Sequence, residues 1–205
     1  MNEKNKIPKI VITGGPGGGK TTALDLFQRE FKSGVKIVPE AATMLFEYGL
    51  HREINPERLK LLQSAIYKMQ LTLEASFHHL NQDRLLICDR GTLDGIAYWP
   101  GEETDFFKTI GSTRESEVSR YDAVIFFQSA AGREEDIKSN NPFRYEDAPL
   151  AKLLDEKLKL VWQRHPNFHY VPSDSSFMRK IARGLLTINS VLDSFNIKDK
   201  GPISF

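Results

Sequence analysis

The sequence predicts an α/β fold: a doubly wound parallel sheet of about five strands, flanked by helices and carrying a lid insertion. Three observations lead there. Short β-branched apolar runs alternate with stretches of helical periodicity. The runs hold few polar residues, as suits strands covered on both faces. A glycine-rich turn joins the first strand to the first helix. With 205 residues, 40% of them apolar, the chain reads as one domain over 1–205 with a substantial core.

Lys9–Thr13 (KIVIT) is the first strand and Lys20–Phe31 the first helix, with Leu24, Phe27 and Phe31 along one face. Val35–Pro39 is the second strand. The longest helix opens at Asn55-Pro56-Glu57, a cap residue, a proline at the first helical position and an acid in the first turn. It runs to about His79 along the seam Leu59, Leu62, Ile66, Met69, Leu73, Phe77, Leu80. Arg84–Asp89 (RLLICD), Asp122–Gln128 (DAVIFFQ) and Phe168–Val171 supply strands three to five. Two further helices cover Leu150–Arg164 and Ser175–Phe195. Gly101–Ser119 and Ala130–Asp147 are polar and exceed the ~12 residues of ordinary loops, so both read as mobile insertions, the second (about 130–147) as a lid. About 198–205 reads as a loose tail.

Composition removes several functions. A net charge of +1 gives no sequence-wide attraction to a nucleic acid polymer. No apolar run nears the roughly 18 residues of a membrane span, and Met1–Lys6 lacks the apolar stretch of a signal peptide. Cys88 is the single cysteine, which rules out an internal disulfide and points to a reducing, cytoplasmic address. His78-His79 lacks metal-ligand spacing, so no zinc is expected.

The strongest motif is Gly14-Gly15-Pro16-Gly17-Gly18-Gly19-Lys20-Thr21, which satisfies G-x-x-x-x-G-K-[ST] between a strand and a helix, the setting of a P-loop NTPase. A glycine-rich turn matching by chance would not need that setting. Gly15, Pro16, Gly17, Gly18 and Gly19 would cradle the phosphates of ATP together with Lys20, Thr21 and Thr22, helped by the positive end of the first helix. Lys20 would reach the β- and γ-phosphates, while the Thr21 hydroxyl and Asp89 would hold Mg²⁺.

Hydrolysis, a GTP switch and phosphoryl transfer share this cradle. Asp89 is followed by Arg90, a cation that cannot serve as the second acid of a hydrolytic site but can bind phosphate oxygens. The D-x-x-G and N-K-x-D signatures of a GTP switch are absent. Glu40 lies just beyond the second strand, at the carboxyl ends where an α/β sheet binds ligands, as a candidate base for an acceptor hydroxyl. Its alternative reading is a first-turn helix residue favoured by the dipole. Arg133 and Arg144, after the fourth strand, are candidates to fold over the phosphates; surface pairs with Glu134, Glu135 or Asp147 are the alternative. Gln63 and Gln70 share a helix face, and Asp94, Tyr98 and Trp99 follow Asp89 closely enough to border an acceptor. The base would rest against Pro172–Ser175.

KIVITGGPGGGKTT, VPEAA and CDRGTLDGIAYW, in that order, resemble the small AAA-type P-loop family over about Lys9–Gly184. That family includes the nicotinamide riboside kinase domain of bacterial NAD-biosynthesis regulators and the insect translocation-defect nucleotide-binding protein. Val38-Pro39-Glu40 is similar to the deoxynucleoside kinases, and Asp89-Arg90 to their acid–Arg pair and to thymidylate kinases. The resemblance implies Glu40 as base, Asp89 at magnesium, Arg90 at the acceptor or phosphoryl group and, through Asn-Pro-Phe-Arg-Tyr-Glu-Asp, Arg144 as lid arginine. Gly91 departs from the Ser or Tyr of that pattern. The expectation is a Mg-ATP-dependent kinase, with Lys20, Glu40, Asp89, Arg90 and Arg144 as its catalytic set. It would phosphorylate a hydroxyl of a small metabolite, a nucleoside or ribosyl compound such as nicotinamide riboside, as a monomer or homodimer. A non-enzymatic ATP- or GTP-binding module and a nucleotide hydrolase are the alternatives.

Overall fold

In the computed structural model, which describes residues 7–30, 34–130 and 148–195, five strands form one parallel sheet. They are β1 (Lys9–Thr13), β2 (Val35–Val38), β3 (Leu85–Asp89), β4 (Ala123–Phe127) and β5 (Phe168–Val171), in the order β2-β3-β1-β4-β5. The chain leaves β1 toward β2, fills in β3, and crosses to β4 on the other side of β1. This reversal opens a crevice at the strand carboxyl ends. Register fixes its rim: Ile12 pairs with Asp89 and with Ile125, so the segments after β1, β3 and β4 emerge together.

Alternation along the strands divides the core in two. Ile10, Ile12, Leu85, Ile87, Ile125 and Phe127 face α1 (Lys20–Glu30) and α8 (Phe177–Ser194). Val11, Leu86, Cys88 and Val124 face the other layer, where Trp162 of α7 (Ala148–Trp162) and Leu73 of α3 (Pro56–Leu80) pack. Asn55 caps α3 as its sequence predicts, its Oδ1 accepting from the N–H groups of Glu57 and Arg58. Every residue of β4 is buried, which explains its unbroken apolar run. No described helix is long and apolar enough to cross a membrane.

Two expectations change. β2 stops at Val38, before Pro39, which has no N–H to give a sheet ladder. Gly101–Ser119 is not a mobile insertion: it folds as α5 (Glu103–Ile110) and α6 (Arg114–Val118). Phe106 anchors it, fully buried and edge-on to Tyr67 and Trp99; Gly111 closes α5 in the left-handed region, and the Thr113 hydroxyl caps α6. Two short helices, α2 (Ala41–Glu47) and α4 (Asp94–Tyr98), follow β2 and β3. The expected lid beyond Ala130, with Arg133 and Arg144, and the tail at 198–205 lie outside the described residues.

α8 approaches the sheet through Gly184, where a Cβ would sit 2.5 Å from the Phe127 ring. Gly184→Ala is therefore expected to destabilise the fold by about 1–3 kcal/mol through overpacking, read as a lower midpoint in urea unfolding.

Candidate functional site

The phosphate loop spans the gap between Thr13 at the end of β1 and Lys20 at the start of α1. Three of its glycines, Gly14 (φ 131°), Gly17 (φ 70°) and Gly19 (φ 80°), hold positive φ. At Gly14 a side chain is also sterically impossible, since a Cβ would lie 2.0 Å from the Phe127 carbonyl oxygen. Lys20 is buried, and its Nζ donates to the carbonyl oxygens of Gly14 and Gly15, at 2.7 Å each. Thr21 and Thr22 are exposed on the first turn of α1, and Asp89 is half-buried at the end of β3.

Arg90 binds the strand ends together. Its Nη1 donates to Gly14 O (2.9 Å), which also accepts from Lys20, and to Asp94 Oδ2 (3.2 Å). Its Nε donates to Glu40 Oε1 (3.0 Å), and Glu40 Oε2 accepts from Thr43 Oγ1 (2.6 Å). Glu40 is thus three hydrogen bonds from Lys20, by way of Arg90 and Gly14 O. It is also the N-cap residue of α2, so the helix-terminus reading and the cleft reading describe one position. Burial works against the Arg90 charge, but Tyr98 and the carboxylates of Glu40, Asp94 and Asp89 outweigh it and keep the guanidinium firmly protonated.

Arg90 is the one described non-glycine residue with positive φ (77°), and a dedicated network holds it there. The Gln70 amide donates to Arg90 O and to Glu74 Oε1. The Tyr121 hydroxyl accepts from Thr92 N and donates to Glu74 Oε1. Glu74, fully buried, also accepts from Lys9 and Arg120. Gly91 has no room for the Ser or Tyr of the resembled pattern, because the Trp162 ring lies 2.6 Å from where its Cβ would be. Asp94, glimpsed in the sequence as a cleft residue, is a brace that accepts from Thr13 Oγ1, Arg90 and Trp162 Nε1.

Beside this cluster opens a cavity of about 600 Å³. One end reaches Pro16 of the phosphate loop, Glu40 and Arg90; Phe46, Leu59, Leu62, Ile66 and Leu154 make an apolar body. Gln63, Gln70, Tyr98 and Trp99 lie on its wall, as their spacing suggested, with Gln70 committed to Glu74 and Arg90 and Trp99 Nε1 donating to Asp105. Tyr67, pushed up to about 12 by burial and its bond to Glu117, keeps its hydroxyl proton. The start of α8 adjoins the loop, since a Cβ on Gly19 would lie 3.3 Å from the Phe177 ring. His78 and His79 are exposed, and no group of three or more His, Cys, Asp or Glu that could hold a metal occurs among the described residues.

Sequence reasoning missed Asp155. This buried residue of α7 accepts at Oδ1 from Gly15 N (2.7 Å) and Ser129 N (2.8 Å). Burial raises its carboxyl above the ordinary range, against the pull of those N–H groups, Lys20 and Lys180.

The family model described as an AAA domain matches residues 9–179. No curated protein matches the chain.

Glu40 and Asp94 are each more than four-fifths buried against Arg90. Arg90→Met is therefore expected to cost about 3 kcal/mol by leaving buried carboxylates without their cation. Adding Glu40→Gln and Asp94→Asn should recover part of that loss in urea unfolding at neutral pH.

Proposed function

The chain belongs to the AAA-domain family, a P-loop NTPase domain equipped to bind nucleotide, and from that premise we propose that it transfers the γ-phosphoryl group of ATP to a hydroxyl of a small organic acceptor. The observation that carries this reading is the cavity of about 600 Å³ reaching Pro16, Glu40 and Arg90 together. Attack by water needs no organic pocket. A drug-sized, mostly apolar cavity opening onto the phosphate loop suits an acceptor held in line with the γ-phosphate.

The residues then divide the work. Lys20 would leave the Gly14 and Gly15 carbonyls for phosphate oxygens, gaining stronger charge-assisted bonds. The Glu40 carboxylate, fixed by Arg90 and Thr43, would accept the proton of the acceptor hydroxyl. Arg90, already at the seam between loop and cavity, would stabilise charge on the phosphoryl group in transit. Magnesium fits this donor set: the ion is ordinarily held by one or two protein oxygens plus phosphates, and the Thr21 hydroxyl and Asp89 carboxylate are of that kind. Bound with the triphosphate, it would neutralise phosphate charge. Gln63 on the cavity wall supports an acceptor with a hydrogen-bonding edge, such as a nucleoside or ribosyl compound. Buried, thiol-form Cys88 accords with a reducing, cytoplasmic setting. Arg133 and Arg144 remain candidates for a lid over the phosphates.

Nucleotide hydrolysis is the second reading, and family membership favours it. In that case Glu40 would orient water. The two separate in one assay: γ-labelled ATP with magnesium, alone and with pooled nucleosides and nicotinamide riboside. Transfer predicts label on an acceptor; hydrolysis predicts label in inorganic phosphate at an unchanged rate. In either assay Glu40→Gln is expected to retain nucleotide binding and lose about 10²–10⁴ in turnover. Wild-type turnover in that variant would remove Glu40 from the chemistry.

A further inference from the structure

Gly15 is glycine for a reason its motif does not supply. The signature leaves that position open, and the Gly15 backbone does not use positive φ. Its constraint comes from α7: a Cβ at Gly15 would lie 2.7 Å from both Cβ and Oδ1 of Asp155, a contact that real side chains do not make. The space is given over to a hydrogen bond, Gly15 N to Asp155 Oδ1 at 2.7 Å. The same oxygen takes Ser129 N at 2.8 Å, just past the end of β4. Ser129 Oγ donates to Pro16 O, and Lys180 Nζ of α8 donates to Gln128 O. The first half of the phosphate loop is therefore bolted to the end of β4, to α7 and, through Gln128, to α8.

At Gly17 the loop is more open. A Cβ at Gly17 would meet nothing within 4 Å, and Gly17 and Gly19 both sit at positive φ. A loop of such residues loses much conformational freedom when it closes on phosphate. Fixing its entry lowers that cost before the anion arrives.

We infer that Asp155 is a positioning residue for nucleotide binding: one carboxylate oxygen, shared between Gly15 N–H and Ser129 N–H, holds the entry of the phosphate loop so that the following amides converge on the triphosphate. It does not touch the nucleotide, and an acid so near a polyanion works against binding by charge alone. Its value lies in the two hydrogen bonds, which an amide oxygen can also accept.

That distinction sets the test, which needs only nucleotide binding and stands whether or not phosphoryl transfer is the reaction. Mg-ATP and Mg-GTP are titrated into the full chain by calorimetry, beside urea unfolding of each variant. Asp155→Ala is expected to weaken binding about tenfold or more, while Asp155→Asn binds within about threefold of wild type. Leu158→Ala, one turn on in α7 and fully buried in the core, should lose at least as much stability with affinity unchanged. Gly15→Ala should also weaken binding, and Gly15→Ala with Asp155→Ala should be no weaker than the worse single variant, since both remove one contact. Undiminished affinity in Asp155→Ala, equal loss in Leu158→Ala, failure of Asp155→Asn to restore binding, or additive losses would each overturn the assignment.

Discussion

One carbonyl oxygen organises the site. Gly14 O accepts from Lys20 Nζ at 2.7 Å and from Arg90 Nη1 at 2.9 Å, so two largely buried cations converge on a single neutral acceptor. In a medium less polarisable than water such like charges repel strongly, and a carbonyl dipole cannot offset that alone. The balance comes from Glu40 and Asp94, both bonded to Arg90, and from Asp155 behind the loop. The arrangement is nevertheless poised for an anion. Lys20 rests on two carbonyl oxygens and Arg90 on one carbonyl and two carboxylates, and each would make stronger bonds to phosphate oxygens than to a carbonyl.

Aiming Arg90 at that oxygen demands a backbone that an L-residue avoids. A φ of 77° in a non-glycine residue costs on the order of 1 kcal/mol, and the surroundings over-determine it. Arg90 N still bonds to Ile12 O, extending the sheet, while Gln70 takes the carbonyl and Tyr121 the N–H two residues on. Behind both stands Glu74, a fully buried carboxylate matched by Lys9 and Arg120. A buried ion cluster of this kind is a poor source of net stability. Its location explains it better: it fixes the turn that carries Arg90, a cation shared by loop, Glu40 and cavity.

What could be read from the sequence was what depends on near neighbours. KIVIT followed by the glycine run and Lys20 is a strand, loop and helix in immediate succession, and all five strands are short, mostly apolar runs. Glu40 was legible because a strand end has a known direction in a parallel sheet. Asp155 was not. It meets Gly15 across 140 positions, and within Leu153-Leu154-Asp155-Glu156 it looks like the solvated face of an amphipathic helix. Gly101–Ser119 failed differently: helices of eight and five residues are too short for periodicity to declare, and their order comes from Phe106 seated against Tyr67 and Trp99. Gly91 could be seen as a departure from the resembled pattern, but the Trp162 ring that excludes a side chain there lies on a distant helix.

The placement of Arg90 directly after Asp89 bears on which reaction such a site can favour. An acid there would polarise water beside the γ-phosphate; a guanidinium instead draws the neighbouring carboxylate, Glu40, toward itself and away from bulk solvent. With Oε1 on Arg90 and Oε2 on Thr43, both oxygens of that carboxylate are fixed in place, and a carboxylate oxygen can accept more than one hydrogen bond. On the proposed reading one of those oxygens receives an alcohol proton, and the apolar wall of Phe46, Leu59, Leu62 and Ile66 excludes the water that would compete for it. The same geometry with the cavity empty admits water to the same oxygen. Selectivity between transfer and hydrolysis would then rest on how completely an acceptor fills the cavity rather than on any further catalytic group.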